Sequence, residues 1–299
     1  DHVISMKEMK KGKVGVITGG GSGHEPAFVG YLGDGMLDSV AIGEVFASPP
    51  ALAFYDAIVD ADQGEGVAVL FGNYAGDNMN VKMAVQMAED DDIEVKYVVA
   101  NDDVASAPKA VKEQRHGIAG GFFMWKVGGA RAAKGGSLDD VIASAQNVVN
   151  RTKSICVGLE PCVIPALGHS NFKIEDGTME FGVGHHGEAG TKVEKLKSAS
   201  EMAQEMAETI LNDFDFEEGK EVAVMLSSLG ATPVMELYVL YDEVEKVLAK
   251  AGHKVWKTYI GNYVTSLDMN GASLTIVDLD DEIKELLSEP AVPIGMKNY

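Results

Sequence analysis

Residues 14–26 read Val-Gly-Val-Ile-Thr-Gly-Gly-Gly-Ser-Gly-His-Glu-Pro. The first five, 14–18, predict a short apolar strand. The glycine-rich stretch after them predicts a tight strand-to-helix turn that carries His24. Glycines there allow positive φ and let backbone N–H groups come close to a ligand. The turn fits neither common phosphate-binding fingerprint. His24 stands where a dinucleotide-binding turn needs its third glycine, and no Gly-Lys-Ser/Thr follows. Two readings stay open: a tight turn without a ligand, or a histidine held out as a general base or acid.

Outward from this turn, short β-branched runs alternate with longer amphipathic stretches. Strands are expected over 14–18, 39–42, 67–71, 94–99, 155–158, 179–182, 221–226, 255–260 and 273–277. Helices are expected over 50–61, 78–89, 117–134, 138–150, 198–212, 233–251 and 281–287. Alternation of this kind predicts an α/β fold. The expectation is two α/β domains, each built on a mixed or largely parallel sheet with flanking helices. At roughly 150 residues per domain, 299 residues suit two domains. The boundary is expected near 150–154, giving domains 1–152 and 153–299.

The charge balance excludes several functions. Twenty-five Lys and Arg face 46 Asp and Glu, a formal net charge of −21. Such a chain repels nucleic acid and anionic lipid and lacks the basic patch that binds them. No run of ~18 apolar residues predicts a membrane span. The opening residues, DHVISMKEMKKGK, lack the apolar core of a signal peptide. Cys156 and Cys162 match no zinc-ligand spacing, which leaves a cytoplasmic chain with reduced thiols as the expectation.

Two further stretches carry candidate chemistry. In Gly72-Asn73-Tyr74-Ala75-Gly76-Asp77, Asp77 is expected at the N-cap of the helix from 78. It can serve there as a cap, as a ligand group beyond a strand's carboxyl end, or as both. Residues 179–190, Met-Glu-Phe-Gly-Val-Gly-His-His-Gly-Glu-Ala-Gly, read as a strand ending in glycines and presenting two histidines. Adjacent side chains on extended chain point to opposite faces, so one histidine at most faces a given pocket. A metal site is the rival reading, with Glu188 as a helper. The pair lacks the i, i+4 spacing of helical zinc sites, and no third and fourth ligands are evident.

Taken together, these stretches resemble the dihydroxyacetone kinase family, specifically its substrate-binding subunit. Three further stretches carry the same likeness: Asn101-Asp102-Asp103-Val104-Ala105, Ser228-Leu229-Gly230-Ala231-Thr232-Pro233 and Thr265-Ser266-Leu267-Asp268-Met269. The resemblance spans almost the whole chain. It implies that His186 adds to the ketone carbon of the substrate to give a covalent hemiaminal. It implies that His24 and Asp77 bind the substrate and take the proton from its terminal hydroxyl, and that Gly21, Ser22 and Gly23 form the loop that contacts it. The implied ligand is dihydroxyacetone or a similar short ketose. The chain itself is expected to hold no cofactor and no metal. ADP and Mg are expected on a separate kinase subunit that delivers the phosphoryl group, and a homodimer is implied. A non-catalytic relative acting as a transcriptional coactivator is the alternative. Against the family pattern, Gly72 stands where a lysine is usual, His185 where an aliphatic residue is usual, and Ala189 where a proline is usual. Residue 72 therefore leaves room for a longer ketose.

The chemistry of the residues agrees with that implication. A three-carbon sugar offers little surface, so noncovalent contacts alone hold it weakly. A neutral imidazole adds to a carbonyl and fixes its position, which lowers the entropic barrier to phosphoryl transfer.

Overall fold

The computed structural model describes residues 2–170, 172–215 and 219–296. The first strands and helices are β1 (Val3–Ser5), β2 (Gly15–Ser22), β3 (Gly33–Asp34), β4 (Ser39–Val45), α1 (Ala51–Ala61), β5 (Val67–Gly72), α2 (Ala75–Asp90) and β6 (Val95–Ala100). Next come α3 (Gly121–Ala133), α4 (Leu138–Asn150), β7 (Thr152–Glu160), β8 (Thr178–Phe181), β9 (Lys192–Lys195) and α5 (Ala199–Asp213). The last are β10 (Glu221–Ser228), α6 (Val234–Lys250), β11 (Lys254–Gly261), β12 (Asn270–Asp278), α7 (Asp281–Ser288) and β13 (Val292–Pro293). The fold is α/β, with both main sheets flanked by helices.

The chain forms two compact units, and they interleave in sequence. One holds residues 1–100, 121–150 and 280–299; the other holds 101–120 and 151–279. A single boundary after 152 therefore does not describe the chain. The reasons are specific bonds. Arg115 reaches α5 with two parallel hydrogen bonds to Asp213, both 2.7 Å. The Ser154 N–H donates to Asp102 O at 2.8 Å and the Val104 N–H to Ser154 O at 3.0 Å, which lays residues 101–105 along β7. At the other end, α7 is tied to the first unit. The buried ammonium of Lys126 donates to Leu286 O at 2.8 Å, Arg131 pairs with Glu282, and β13 pairs with β3.

In the first unit the sheet order is β1-β4-β2-β5-β6. Strands β4, β2, β5 and β6 run parallel, and β1 joins antiparallel. Side chains alternate across it. Ile17, Val69 and Phe71 pack on Phe54 and Ala57 of α1 and on Val81 and Ala84 of α2. Leu70 faces the other way, toward α3, where Trp125 Nε1 donates to Leu70 O at 3.0 Å. Each fully buried side chain of this size contributes about 1.5–3 kcal/mol.

In the second unit the order is β11-β10-β12-β7-β8-β9, and only β10 and β11 run parallel among the described pairs. Val157, Val224, Leu226, Leu274 and Ile276 pack on Met206 and Ile210 of α5 and on Leu240 and Val244 of α6. Ser198 and Glu201 close α5 with a reciprocal capping box. No helix among the described residues is long and apolar enough to cross a membrane.

Candidate functional site

The first unit positions His24. Residues 19–22 continue β2 as strand, not as the expected turn, and within the run Gly23 alone has positive φ, 108°. The glycines are needed for room. A Cβ on Gly20 would overlap the Phe28 ring, and one on Gly21 would lie 2.7 Å from Ala47 N. Gly21 and Ser22 end β2, and the Ser22 hydroxyl donates to Gly43 O at 2.7 Å. Gly23 donates its N–H to the Glu25 carboxylate. His24 then sits almost fully buried. Its ring stacks on Phe46, with centroids 5.2 Å apart and planes 22° from parallel. It meets Phe28 edge-on at 6.2 Å. Both phenylalanines take left-handed backbone angles, φ 65° for Phe28 and 57° for Phe46. Such strain costs of order 1–3 kcal/mol per residue and persists only where the surroundings enforce it.

Asp77 lies in the same unit. The N-cap of α2 is Tyr74, so Asp77 falls in the helix's first turn and not at the cap. Its buried carboxylate accepts from Ser48 Oγ at 2.8 Å. Gly76 allows this, because a Cβ there would meet Ser48 Oγ at 2.6 Å. The segment 46–48 thus touches both His24, through Phe46, and Asp77, through Ser48. Gly72 closes β5, and its carbonyl accepts from Tyr74 N at 2.9 Å.

The second unit positions His186. After β8 the chain turns at Gly182, φ 78°, and again at Gly187, φ 80°. His185 is 3% exposed, and its carbonyl accepts from Ser266 Oγ. The His186 side chain is 25% exposed. Its Nδ1 lies 2.7 Å from Glu188 Oε1, and its N–H donates to Oε2 of the same carboxylate at 2.8 Å. Burial pushes the Glu188 carboxyl up, but the hydrogen bond and charge of His186 outweigh it and hold the group down at about 2. Since an ionised carboxylate only accepts, the neutral ring carries its proton on Nδ1 and its lone pair on Nε2.

A pair of acids stands behind this turn. Asp102 accepts from the N–H groups of Ile118 and Gly120 at 3.0 and 2.8 Å, while complete burial raises its pKa. Asp103 accepts from Ala105 N at 3.0 Å. Burial, aided by the charges of Asp102 and Glu188, pushes its carboxyl up to about 7, against the N–H of Ala105. Among the described residues no cluster of three or more His, Cys, Asp or Glu could hold a metal ion.

Each unit thus assembles part of the expected set: His24, Asp77 and the strand end 21–23 in one, His186 in the other. Sequence reading gave Glu188 only a metal-ligand role, although one glycine between histidine and glutamate is what folds the carboxylate back onto the ring. It passed over Phe28, Phe46 and Ser48, which carry no signal apart from the turn-forming prolines after Ser48. Asp103 was visible only as part of a motif.

Fold and site together define a two-unit α/β protein that presents a carboxylate-backed imidazole. Comparison with known proteins makes this specific. Residues 1–294 match the Dak1 domain family. The chain is 42% identical to the dihydroxyacetone-binding subunit of PTS-dependent dihydroxyacetone kinase 1 from Listeria innocua, over 94% of this chain and 85% of that one. It is 37% identical to a D-erythrulose kinase of Mycolicibacterium smegmatis, over 97% of this chain and 50% of that one. Among solved structures, a dihydroxyacetone kinase operon co-activator superposes with a TM-score of 0.93 at 30% identity, covering 98% of this chain and 91% of that one. The chain belongs to the dihydroxyacetone kinase family, as a Dak1 domain.

Proposed function

We propose that this chain is the substrate-binding subunit of a dihydroxyacetone kinase, holding dihydroxyacetone or a similar short ketose as a hemiaminal on His186. The supporting observation is the 2.7 Å contact between His186 Nδ1 and Glu188 Oε1. It favours the tautomer with a nucleophilic Nε2. The lone pair on Nε2 attacks the ketone carbon and a C–N bond forms. The carbonyl π pair moves to oxygen, which takes up a proton from solvent, and the ring becomes an imidazolium that keeps its Nδ1 proton, hydrogen-bonded to the ionised Glu188 carboxylate. Captured this way, the substrate is selected as well as fixed, because glycerol has no carbonyl to capture. We assign His24 and Asp77 to the proton of the terminal hydroxyl that attacks phosphorus, and residues 21–23 to substrate contacts. The phosphoryl group comes from a separate subunit carrying ADP and Mg, and the chain works in the cytoplasm as a homodimer.

The relatives' names support a ketose of three or four carbons, since dihydroxyacetone and erythrulose kinases both match. The second reading is a dihydroxyacetone-binding coactivator, favoured by the likeness to the operon co-activator. One experiment separates them. The chain is mixed with the ADP-carrying subunit and a phosphoryl donor, and product from dihydroxyacetone is measured beside calorimetric binding. Turnover that is lost in His24→Asn and Asp77→Asn with binding retained, and binding that is lost in His186→Ala, is the expected result. Binding without turnover in the unaltered chain overturns the kinase reading in favour of the coactivator. Equal binding of glycerol and dihydroxyacetone overturns covalent capture.

A further inference from the structure

We propose that Phe46 is a positioning residue that fixes the imidazole of His24 for its part in the reaction. The proposal rests on the kinase reading above only for what His24 does, not for how it is held. The ring of Phe46 lies against that of His24 with planes 22° apart, and Phe28 closes the edge. Phe28 is backed by Trp125 at 5.5 Å, and Trp125 is anchored by its hydrogen bond to Leu70 O. The result is a continuous aromatic brace from β5 to His24.

The brace is built at a cost that ordinary packing would not require. Both phenylalanines hold positive φ, a region where bulky side chains are outliers. A phenylalanine needed only to fill space packs equally well on relaxed backbone. The glycines point the same way. Gly20 gives room to the Phe28 ring, and Gly21 and Gly43 give room to the backbone of Ala47, next to Phe46. The Phe46 N–H is pinned to Ser22 O at 3.0 Å, two residues before His24. The glycine run of β2 thus serves the brace. A phenyl face makes no strong hydrogen bond, so its effect on His24 is orientation and exclusion of water.

The test reads the ring directly. His24 ring resonances are assigned in the isolated full chain, where a stacked phenyl ring displaces them. Phe46→Leu should remove the displacement, and Phe46→Tyr should keep it. In the reconstituted kinase assay, Phe46→Leu should lower kcat by about tenfold or more, since small misplacements of a reacting group cost that much. KM for dihydroxyacetone should stay within about twofold, and Phe46→Tyr should restore kcat. Unchanged resonances in Phe46→Leu, or a kcat that Tyr fails to restore, overturns the proposal. If Phe46→Leu does not fold, Phe46→Met is read in the same way. A chain with no kinase activity at all would sink the kinase reading, while the resonances would still decide whether Phe46 sets His24.

Discussion

Both carboxylate oxygens of Glu188 are engaged by one residue: Oε1 lies 2.7 Å from the Nδ1 of His186 and Oε2 2.8 Å from its backbone N–H. The intervening Gly187 supplies the positive φ that closes so small a loop. The imidazole is oriented by its own near neighbour in sequence.

Replacing Glu188 with glutamine should break this arrangement. An amide offers one acceptor and one donor, and two N–H groups need acceptors, so one contact is lost. Dihydroxyacetone affinity, measured by calorimetry, should fall by about tenfold or more, because the ring loses its tautomer bias. The pH dependence has a definite sign. Glu188 titrates at about 2 in the fold, below its ordinary 4.5. Its contribution to stability is therefore present above about 4.5 and lost as pH falls toward about 2. The stability gap between the native chain and the variant, measured by urea unfolding, should shrink from pH 6 to pH 3.

Asp103 should behave in the opposite way. Burial holds its carboxyl at about 7 instead of 3.8, so the folded chain binds this proton more tightly than the unfolded one. Stability should fall as pH rises from about 4 to about 7, by up to roughly 4 kcal/mol for a shift of about three units. Asp103→Asn keeps an acceptor for Ala105 N and removes the charge. It should raise stability at pH 8 and flatten the profile, measured by urea midpoints at pH 5 and 8. An unchanged slope would show that Asp103 stays ionised in the fold.

Much of this was legible in the sequence, and the gaps have physical causes. Strands such as β5 and β10 announce themselves as apolar runs. His24, Asp77 and His186 stand out as candidates because each follows a glycine-rich strand end. The glycines at 19–21 misled, since a strand that needs room for Phe28 and Ala47 has the same composition as a turn. Asp77 was displaced from the expected cap because α2 starts earlier, at Ala75. The interleaved units were not legible, because residues 101–120 join the second unit through a long-range pair, Arg115 with Asp213.

That pair gives the next prediction. Arg115 is 1% exposed, and its guanidinium also donates to Ala107 O at 2.8 Å. Burial raises the Asp213 carboxyl, but the hydrogen bonds and charge of Arg115 prevail and lower it. Arg115→Met would leave that acid without its main partner, at a cost of about 3–5 kcal/mol. Arg115→Met with Asp213→Leu should recover much of the loss. Urea unfolding of the single and double variants measures both values, and a single-variant loss under about 1 kcal/mol would mean the pair is replaceable by solvent.

Gly20→Ala tests whether the glycine run serves packing or a ligand. A methyl group there would overlap the ring of Phe28 at three of its atoms. Phe28 cannot retreat easily, with Trp125 5.5 Å behind it and its own backbone already at φ 65°. Overpacking of this kind typically costs 1–3 kcal/mol. The same substitution at Gly64, where a methyl group meets nothing within 4 Å, is the control for backbone strain, since φ there is 88°. If Gly20 is there for the ring, Gly20→Ala should be the more destabilising in thermal melts, and Gly20→Ala with Phe28→Leu should regain part of the loss. If Gly20 is there for substrate, stability should hold and dihydroxyacetone affinity alone should drop. The close approach of Phe28 argues for the first outcome, because the space beside Gly20 is already filled by protein.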